Sequence, residues 1–528
     1  MFELALVIGI YSYLILTLGL LYLLSPVNIF IFSVLFFVAI YFLYGNRLSF
    51  RVPKFKLSRF EKVLLTIFLS QVFINLIGAL GPELSFDALW YHLTFPKIYL
   101  QNHGIFYVPG GLLYYSGIPK LTELIYTSLL AFGSEILPKL AHFAFALLIC
   151  LVLLKISRKF LNKTFSLLVV LLFYSNLVVA WESTTAYVDL ARGFFEVMAL
   201  WGFLNFEETK KNKDLILSSV MLGLAIASKL MSLLTIPIFV GLIFLQKGEI
   251  RKKIKKSAFF SLISIFIALP WFVFSLIHTG NPIYPLITNY ETGQNIGLLN
   301  PLNFIKSIFL VFTHSPDPLS PFYIIVLPFV ILFARRIYNS RFRAVFVYSV
   351  LALIAWYFTP HPQTGGGRYI IPFLPAFSLL SIYALSLIEY KKLKMYLIVL
   401  LVFLSSVSVL YRGVANFRYV PVVLGVQKKA DFLSKHLNFS FGDFYDTDNY
   451  FKTHLMKSDR VLLYGFHNLY YVNFNFIDSS WVKKGDEFNY IATQEAVLPD
   501  RFSFWNLVYY NPKTHVKLYS IGGKTWIY

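Results

Sequence analysis

Apolar runs of roughly 20 residues recur along this chain, and nothing else in it limits the fold so tightly. The opening stretch, MFELALVIGIYSYLILTLGLLYLL, carries a single charge. A segment of this kind cannot leave backbone N–H and C=O groups unpaired in hydrocarbon, so it must be helical. Candidate spans fall at 3–24, 27–45, 63–80, 137–155, 165–181, 190–206, 214–231, 233–247, 258–278, 321–335, 344–359, 370–389 and 395–411. The expected fold class is a polytopic α-helical membrane protein of about thirteen helices. With 57% hydrophobic and 14% charged residues among 528, a soluble domain is excluded. The 55 Phe and 35 Tyr suit lipid-facing helices and interfacial belts. The first run lacks a basic leader and a small-residue cleavage site, so it reads as a retained span rather than a signal peptide.

The formal net charge of +21 does not point to nucleic acid, because the basic residues sit in short clusters between apolar runs. Those clusters lie at 47–62, 155–163, 210–213, 247–256, 334–343 and 390–394, and this span list puts all six on one side. By the positive-inside rule that side is cytoplasmic, and so is the N-terminus. The connections at 81–136, 182–189, 279–320 and 360–369 then face outward, with everything after 411. Outer loops 81–136 and 279–320 are long, whereas the inner connections are short and basic, which places the working site outside. The expected organisation is a transmembrane domain over 1–411 and a small extracytoplasmic α/β domain over 412–528. In the latter, 460–465, 489–494, 506–511 and 515–521 read as strands and 442–457 as a helix. No glycine-rich phosphate motif follows the first strand. The single cysteine, Cys150, rules out an intrachain disulfide.

Ionisable residues gather at the outer ends of spans, where charge is costly and tends to face a cavity. In ELSFDALWYH (83–92), Glu83 and Asp87 are four apart and would share a helix face, with Trp90, Tyr91 and His92 following. Carboxylate and aromatics together suit a polyhydroxylated ligand, and Asp87 could act as a general base on a hydroxyl. WESTTAYVDLARGFF (181–195) brings Glu182, Asp189 and Arg192; either Asp189 pairs with Arg192 at a helix start, or it faces Asp87 across an outward site. Lys229 and Arg368 either snorkel to the interface or bind phosphate. Gly365, Gly366 and Gly367 could bring backbone N–H groups to an anion. Ten histidines, including His92, His103 and His361, show no HxxxH or HExxH spacing, so a zinc site is not indicated. A carboxylate-bound Mg or Mn ion at Asp87 and Asp189 is left open as a cofactor.

The chain resembles the GT-C membrane glycosyltransferases that use polyprenyl-phosphate-linked sugars, and among them the family 39 or aminoarabinose-transferase-like group. The resemblance lies in FDALWYHLTFPKIYL (86–100), AYVDLARGFF (186–195), GLAIASKLMSLLTIP (223–237), TGNPIYP (279–285) and GRYIIPFLPA (367–376). It implies that Asp87 is the catalytic residue and that Asp189 is the second-loop acid. It further implies that Arg368, with Lys229, engages the lipid phosphate. Glu83, Tyr91, His92, Glu182 and Tyr369 complete the expected substrate-binding set. Many relatives carry adjacent acids in the first loop, whereas this chain has Asp87–Ala88. The implied partners are a polyprenyl-phosphate sugar donor, an extracytoplasmic lipid, glycan or protein acceptor, and the bilayer of the plasma membrane. A lipid-linked glycan flippase, a polysaccharide polymerase and an envelope scaffold are the rival readings. A flippase would bring helices broken near the midplane and internally related halves.

Overall fold

The computed structural model describes residues 1–45, 56–286, 301–315, 317, 319–359 and 366–528. Gly365 and His361, together with 287–300 of the second outer loop and 47–55 of the first basic cluster, lie outside the described residues.

Among the described residues seven helices are long and apolar enough to cross a bilayer: Phe2–Leu20, Pro26–Leu43, Arg59–Leu80, Ile136–Ser157, Ile250–Thr279, Gly366–Leu387 and Lys391–Phe417. Six shorter apolar helices join them, among them Lys163–Tyr174, Leu230–Phe244 and Arg343–Tyr357. Local signals set the ends. Ser58 and Glu61 form a reciprocal capping box that starts Arg59–Leu80, and Asn162 caps Lys163–Tyr174. Helix Pro26–Tyr44 exposes Phe30, Ile31, Leu35 and Phe42, which a water-soluble fold would bury and a bilayer accommodates. The inner helices instead bury their apolar faces together, and Asp189–Thr209 is enclosed on nearly every side.

One expected span is interrupted: 165–181 breaks into Lys163–Tyr174 and Leu177–Glu182. The boundary expected between 214–231 and 233–247 falls at Lys229, where helix Asn212–Ser228 ends and a 3-10 turn, Leu230–Thr235, leads into Ile236–Phe244. Hydropathy registers apolar length and not backbone direction, so it does not show the break inside 165–181. A further helix, Pro301–Thr313, lies where a loop was expected.

Two buried lysines, Lys120 and Lys139, and the half-buried Lys97 organise the segment 81–136 and its neighbours. Lys120 Nζ donates to the carbonyls of Tyr115, Ser116 and Ile118, and Lys139 Nζ to those of Gly78, Gly81 and Pro82. Lys97 Nζ donates to Leu469, Tyr470 and Val472. Each ammonium gathers three backbone carbonyls at a helix end or in a turn.

Beyond Phe417 the chain forms two small sheets. Strands β1 (Val461–Tyr464), β2 (Phe476–Asp478), β4 (Tyr490–Gln494), β5 (Asn506–Tyr510) and β6 (Val516–Ser520) are ordered β2-β1-β4-β6-β5. β3 (Glu487–Phe488) and β7 (Trp526–Ile527) pair separately. β1 lies parallel to both β2 and β4, while β6 runs antiparallel to β4 and β5. The four expected strands are present, but the helix expected over 442–457 is confined to Tyr450–His454. Asp446 explains where it starts, since its carboxylate takes the N–H groups of Phe451 and Lys452.

Candidate active site

The first outer loop does not begin as the expected helix. Glu83 precedes the helical residues, and its Oε1 accepts the N–H groups of Leu84 and Ser85. Its Oε2 accepts the Ala186 N–H at 2.7 Å, stapling the first outer loop to the second. Glu83 and Asp87 therefore do not share a helix face, because the Glu83 carboxylate is spent on backbone. From Ala88 to His92 the chain makes one π-helical turn, a local widening frequent at functional sites. Asp87 stands at its start, 9% exposed, and its N–H donates to the Tyr187 hydroxyl.

Asp189 is the first residue of helix Asp189–Thr209, where the helix dipole favours an anion. Lys229 is the residue at which helix Asn212–Ser228 ends; its extended backbone (φ −156°, ψ 123°) aims the ammonium at that carboxylate. Lys229 Nζ lies 2.6 Å from Asp189 Oδ1. Arg368 sits on the turn Gly366–Tyr369, and this turn needs glycine: a Cβ on Gly367 would lie 2.1 Å from the Asp317 carbonyl oxygen. The Gly367 N–H donates to Ser315 Oγ, so it serves the fold rather than an anion. Arg368 Nη1 is 2.7 Å from Asp87 Oδ2, and its Nε is 3.8 Å from Asp189 Oδ2. The four charges thus alternate in one row: Lys229, Asp189, Arg368, Asp87.

Aromatic rings wall this row. Arg368 Cζ lies 5.0 Å from the Tyr187 centroid and 5.5 Å from that of Tyr369, and Lys229 Nζ lies 5.3 Å from Tyr369. The Tyr91 hydroxyl donates to Asp87 Oδ2 at 3.1 Å. Burial, with the Asp87 charge, raises the Tyr91 phenol well above its usual range, so it remains a donor. Burial also works against ionisation of Asp87, but the charges of Arg368, His92 and Lys229 outweigh it and hold the carboxyl below its ordinary range.

The remaining expected residues lie around this row with other partners. His92 is buried, and its Nδ1 is 2.8 Å from Glu123 Oε1, leaving Nε2 without a partner. Glu182 is fully buried behind Asp189, and neither carboxylate oxygen has a hydrogen-bond partner; His142 Nε2 is 3.8 Å away. Arg192 pairs with Glu196 at 2.9 Å, an i,i+4 pair within the helix, so of the two alternatives for Asp189 the ion pair with Arg192 is not the one formed. Sequence reasoning missed Glu123, Tyr187 and His142. Glu123 carried a signal, being the one acid in the amphipathic stretch IPKLTELIYTSLLAFG, and Tyr187 carried one by standing in AYVDLARGFF two residues before Asp189; His142 carried none.

A divalent cation does not fit this arrangement. Among the described residues no three His, Cys, Asp or Glu side chains are grouped to hold a metal. Asp87 and Asp189 are already neutralised by Arg368 and Lys229, whose charges would oppose a second cation.

Residues 124–277 match the family model described as dolichyl-phosphate-mannose-protein mannosyltransferase, a stretch that includes Asp189 and Lys229 but neither Asp87 nor Arg368. No curated protein matches the chain in sequence. In three dimensions the chain is similar to ArnT from Cupriavidus metallidurans in the apo state, with a TM-score of 0.54 at 11% identity over 87% of this chain and 97% of that one. It is likewise similar to the same enzyme bound to undecaprenyl phosphate, with a TM-score of 0.50 at 12% identity over 86% and 97%. The resemblance to the GT-C glycosyltransferases read from the sequence is thereby borne out, and the chain has their multi-pass helical fold.

Proposed function

We propose that this protein transfers a sugar from a polyprenyl-phosphate-linked donor to an extracytoplasmic hydroxyl, with inversion at the anomeric carbon. The observation that carries this reading is the single guanidinium of Arg368, ion-paired to acids from both outer loops and continued by Lys229. Support for the donor class comes from the ArnT structure holding undecaprenyl phosphate and from a matched family described by its dolichyl-phosphate sugar.

In this reading the acceptor oxygen attacks the anomeric carbon while Asp87 takes the hydroxyl proton. The bond from that carbon to the phosphate oxygen breaks, and the electron pair leaves on the polyprenyl phosphate. Arg368 and Lys229 stabilise the charge that builds there. Asp189 and the rings of Tyr187 and Tyr369 hold the two cations in place. At rest Arg368 is closest to Asp87, which makes that carboxylate a weak base. An arriving phosphate competes for the same guanidinium, and drawing it away raises the basicity of Asp87 when base is required.

The proposed orientation puts the N-terminus in the cytoplasm, the site at the outer surface of the plasma membrane, and residues 412–528 outside. Glu83 becomes a loop staple in this account, and Glu182 supports the floor behind Asp189. The test is incubation of purified protein with a panel of polyprenyl-phosphate sugars and mass analysis of the products. Transfer by wild type and its loss in a folded Asp87→Asn variant are expected; an active Asp87→Asn enzyme removes the assignment.

A further inference from the structure

The π-helical turn that ends in His92 places Phe86 and Trp90 one step around the helix from Asp87 and Tyr91. These two rings meet rings from beyond the last span. Phe86 stacks on His467 (centroids 5.2 Å, planes at 27°) and lies 5.3 Å from Phe441. Trp90 lies 5.4 Å from His467 and 5.3 Å from Tyr115, and Tyr115 lies 4.5 Å from Tyr91. Tyr91 in turn donates to Asp87. An unbroken aromatic track therefore runs from Phe441, which is 57% exposed, to the reacting carboxylate.

The C-terminal half of the track is held rigidly. The N–H groups of His467 and Asn468 both donate to the Gly442 carbonyl. Gly442 and Gly465 adopt φ of +85° and +79°, and a Cβ on Gly465 would lie 2.0 Å from the Gln494 carbonyl oxygen. The loop bearing His467 leaves the carboxyl end of β1, the strand with parallel neighbours on both sides. In open α/β sheets ligands bind at the carboxyl ends of strands where the order reverses. Burial keeps His467 below its usual pKa, hence neutral and suited to stacking.

We propose that a saccharide portion of the acceptor binds along this track, in the seam between the first outer loop and the loop after β1. The pyranose C–H face stacks on flat rings, while its hydroxyls reach the polar end at Tyr115, Tyr91 and Asp87. The Trp90 indole N–H is already taken by the Leu112 carbonyl at 2.8 Å, so this residue offers its face alone. A hydrocarbon occupant is disfavoured, because Phe441 stands between Ser440 and Gly442, beyond Lys391–Phe417, the last helix long and apolar enough to cross a bilayer. This inference names the acceptor class and rests on the transferase reading above.

The experiment reads binding without turnover. Full-length protein in detergent is titrated with maltotetraose, cellotetraose, chitotetraose and an unglycosylated Ser/Thr-rich octapeptide, with saturation transfer to the probe protons as readout. Saturation of pyranose protons is expected for at least one oligosaccharide. Phe441→Ala and His467→Ala should weaken that binding about five- to tenfold, as expected for loss of one ring contact. His467→Phe, which keeps a ring, should restore it. Phe441 is mostly exposed, so its truncation leaves folding intact, which the melting temperature checks. If sugars bind through these rings while no donor supports transfer, the subsite stands and the transferase reading falls. Failure of all three oligosaccharides, indifference to the ring variants, or preference for the peptide overturns the proposal.

Discussion

Two charged arrangements share helix Asp189–Thr209, with their acids Asp189 and Glu196 about two turns apart, and they are built to opposite ends. Within the bundle, Glu196 accepts from Arg192 Nε (2.9 Å), Ser232 (2.8 Å), Thr235 (3.0 Å) and Tyr348 (3.3 Å), and both charged side chains are fully buried. At the outer end, Arg368 and Lys229 keep 12% and 14% of their side chains exposed. There Arg368 Nε and Asp189 Oδ2 face each other at 3.8 Å with no hydrogen-bond partner. The Glu196 carboxylate has its donors in place, and only Nη1 and Nη2 of Arg192 lack partners there. A cation shared loosely between two acids can take a third anion without leaving either one stranded. The first arrangement ties helices together, and the second is the one the proposed function assigns to the donor phosphate.

The largest expected effect separates the two by function. Asp87→Asn should lower transfer by about 10²–10⁴-fold, the usual worth of a general base, while the protein stays folded with at most a small drop in melting temperature from loss of its pair with Arg368. Glu196→Ala should do the reverse and cost on the order of 3–5 kcal/mol of stability, because it strands a buried guanidinium. Thermal unfolding of the purified protein in detergent checks it, and an undiminished melting point would mean that the inner pair is not structural. Arg368→Lys should be milder, raising the donor KM roughly tenfold while kcat changes less, since an ammonium keeps the charge but loses the fork.

The smallest effect is a shift in pH dependence. Arg368 heads the charges that hold the Asp87 carboxyl below its ordinary value, so the wild-type acid limb should lie at low pH. In Arg368→Met, burial dominates and the Asp87 pKa rises, moving the acid limb of the residual activity to higher pH. The sign for stability follows in the same way. Folding lowers this pKa, so the contribution of the pair is complete above the ordinary carboxyl value of 3.8 and is lost as pH falls through the folded one. A limb that does not move in Arg368→Met would show that Asp87 is not the titrating base.

Much of this was legible in the sequence because its signals are one-dimensional. Apolar length and the placement of basic clusters pointed to a multi-pass helical fold, and short β-rich runs between polar stretches located strands β1, β4, β5 and β6. Asp87, Asp189, Lys229 and Arg368 were picked out as ionisable residues at the outer ends of spans, and the fold brings all four into one row. Glu83 was misread because spacing alone cannot tell whether a carboxylate will be consumed by backbone N–H groups. Glu123 was missed as the partner of His92, because 31 residues of chain separate them.

The sequence by itself determined which segments must be helical and which outer residues carry charge, since both follow from the cost of placing polar groups in hydrocarbon. Only the tertiary structure decided which charge meets which. It sent Arg192 inward to Glu196, broke the chain at Lys229 so that its ammonium reaches Asp189, and folded the loop after β1 back over Phe86 and Trp90. Pairing depends on distances of a few ångströms between residues far apart in the chain, and packing alone sets those distances.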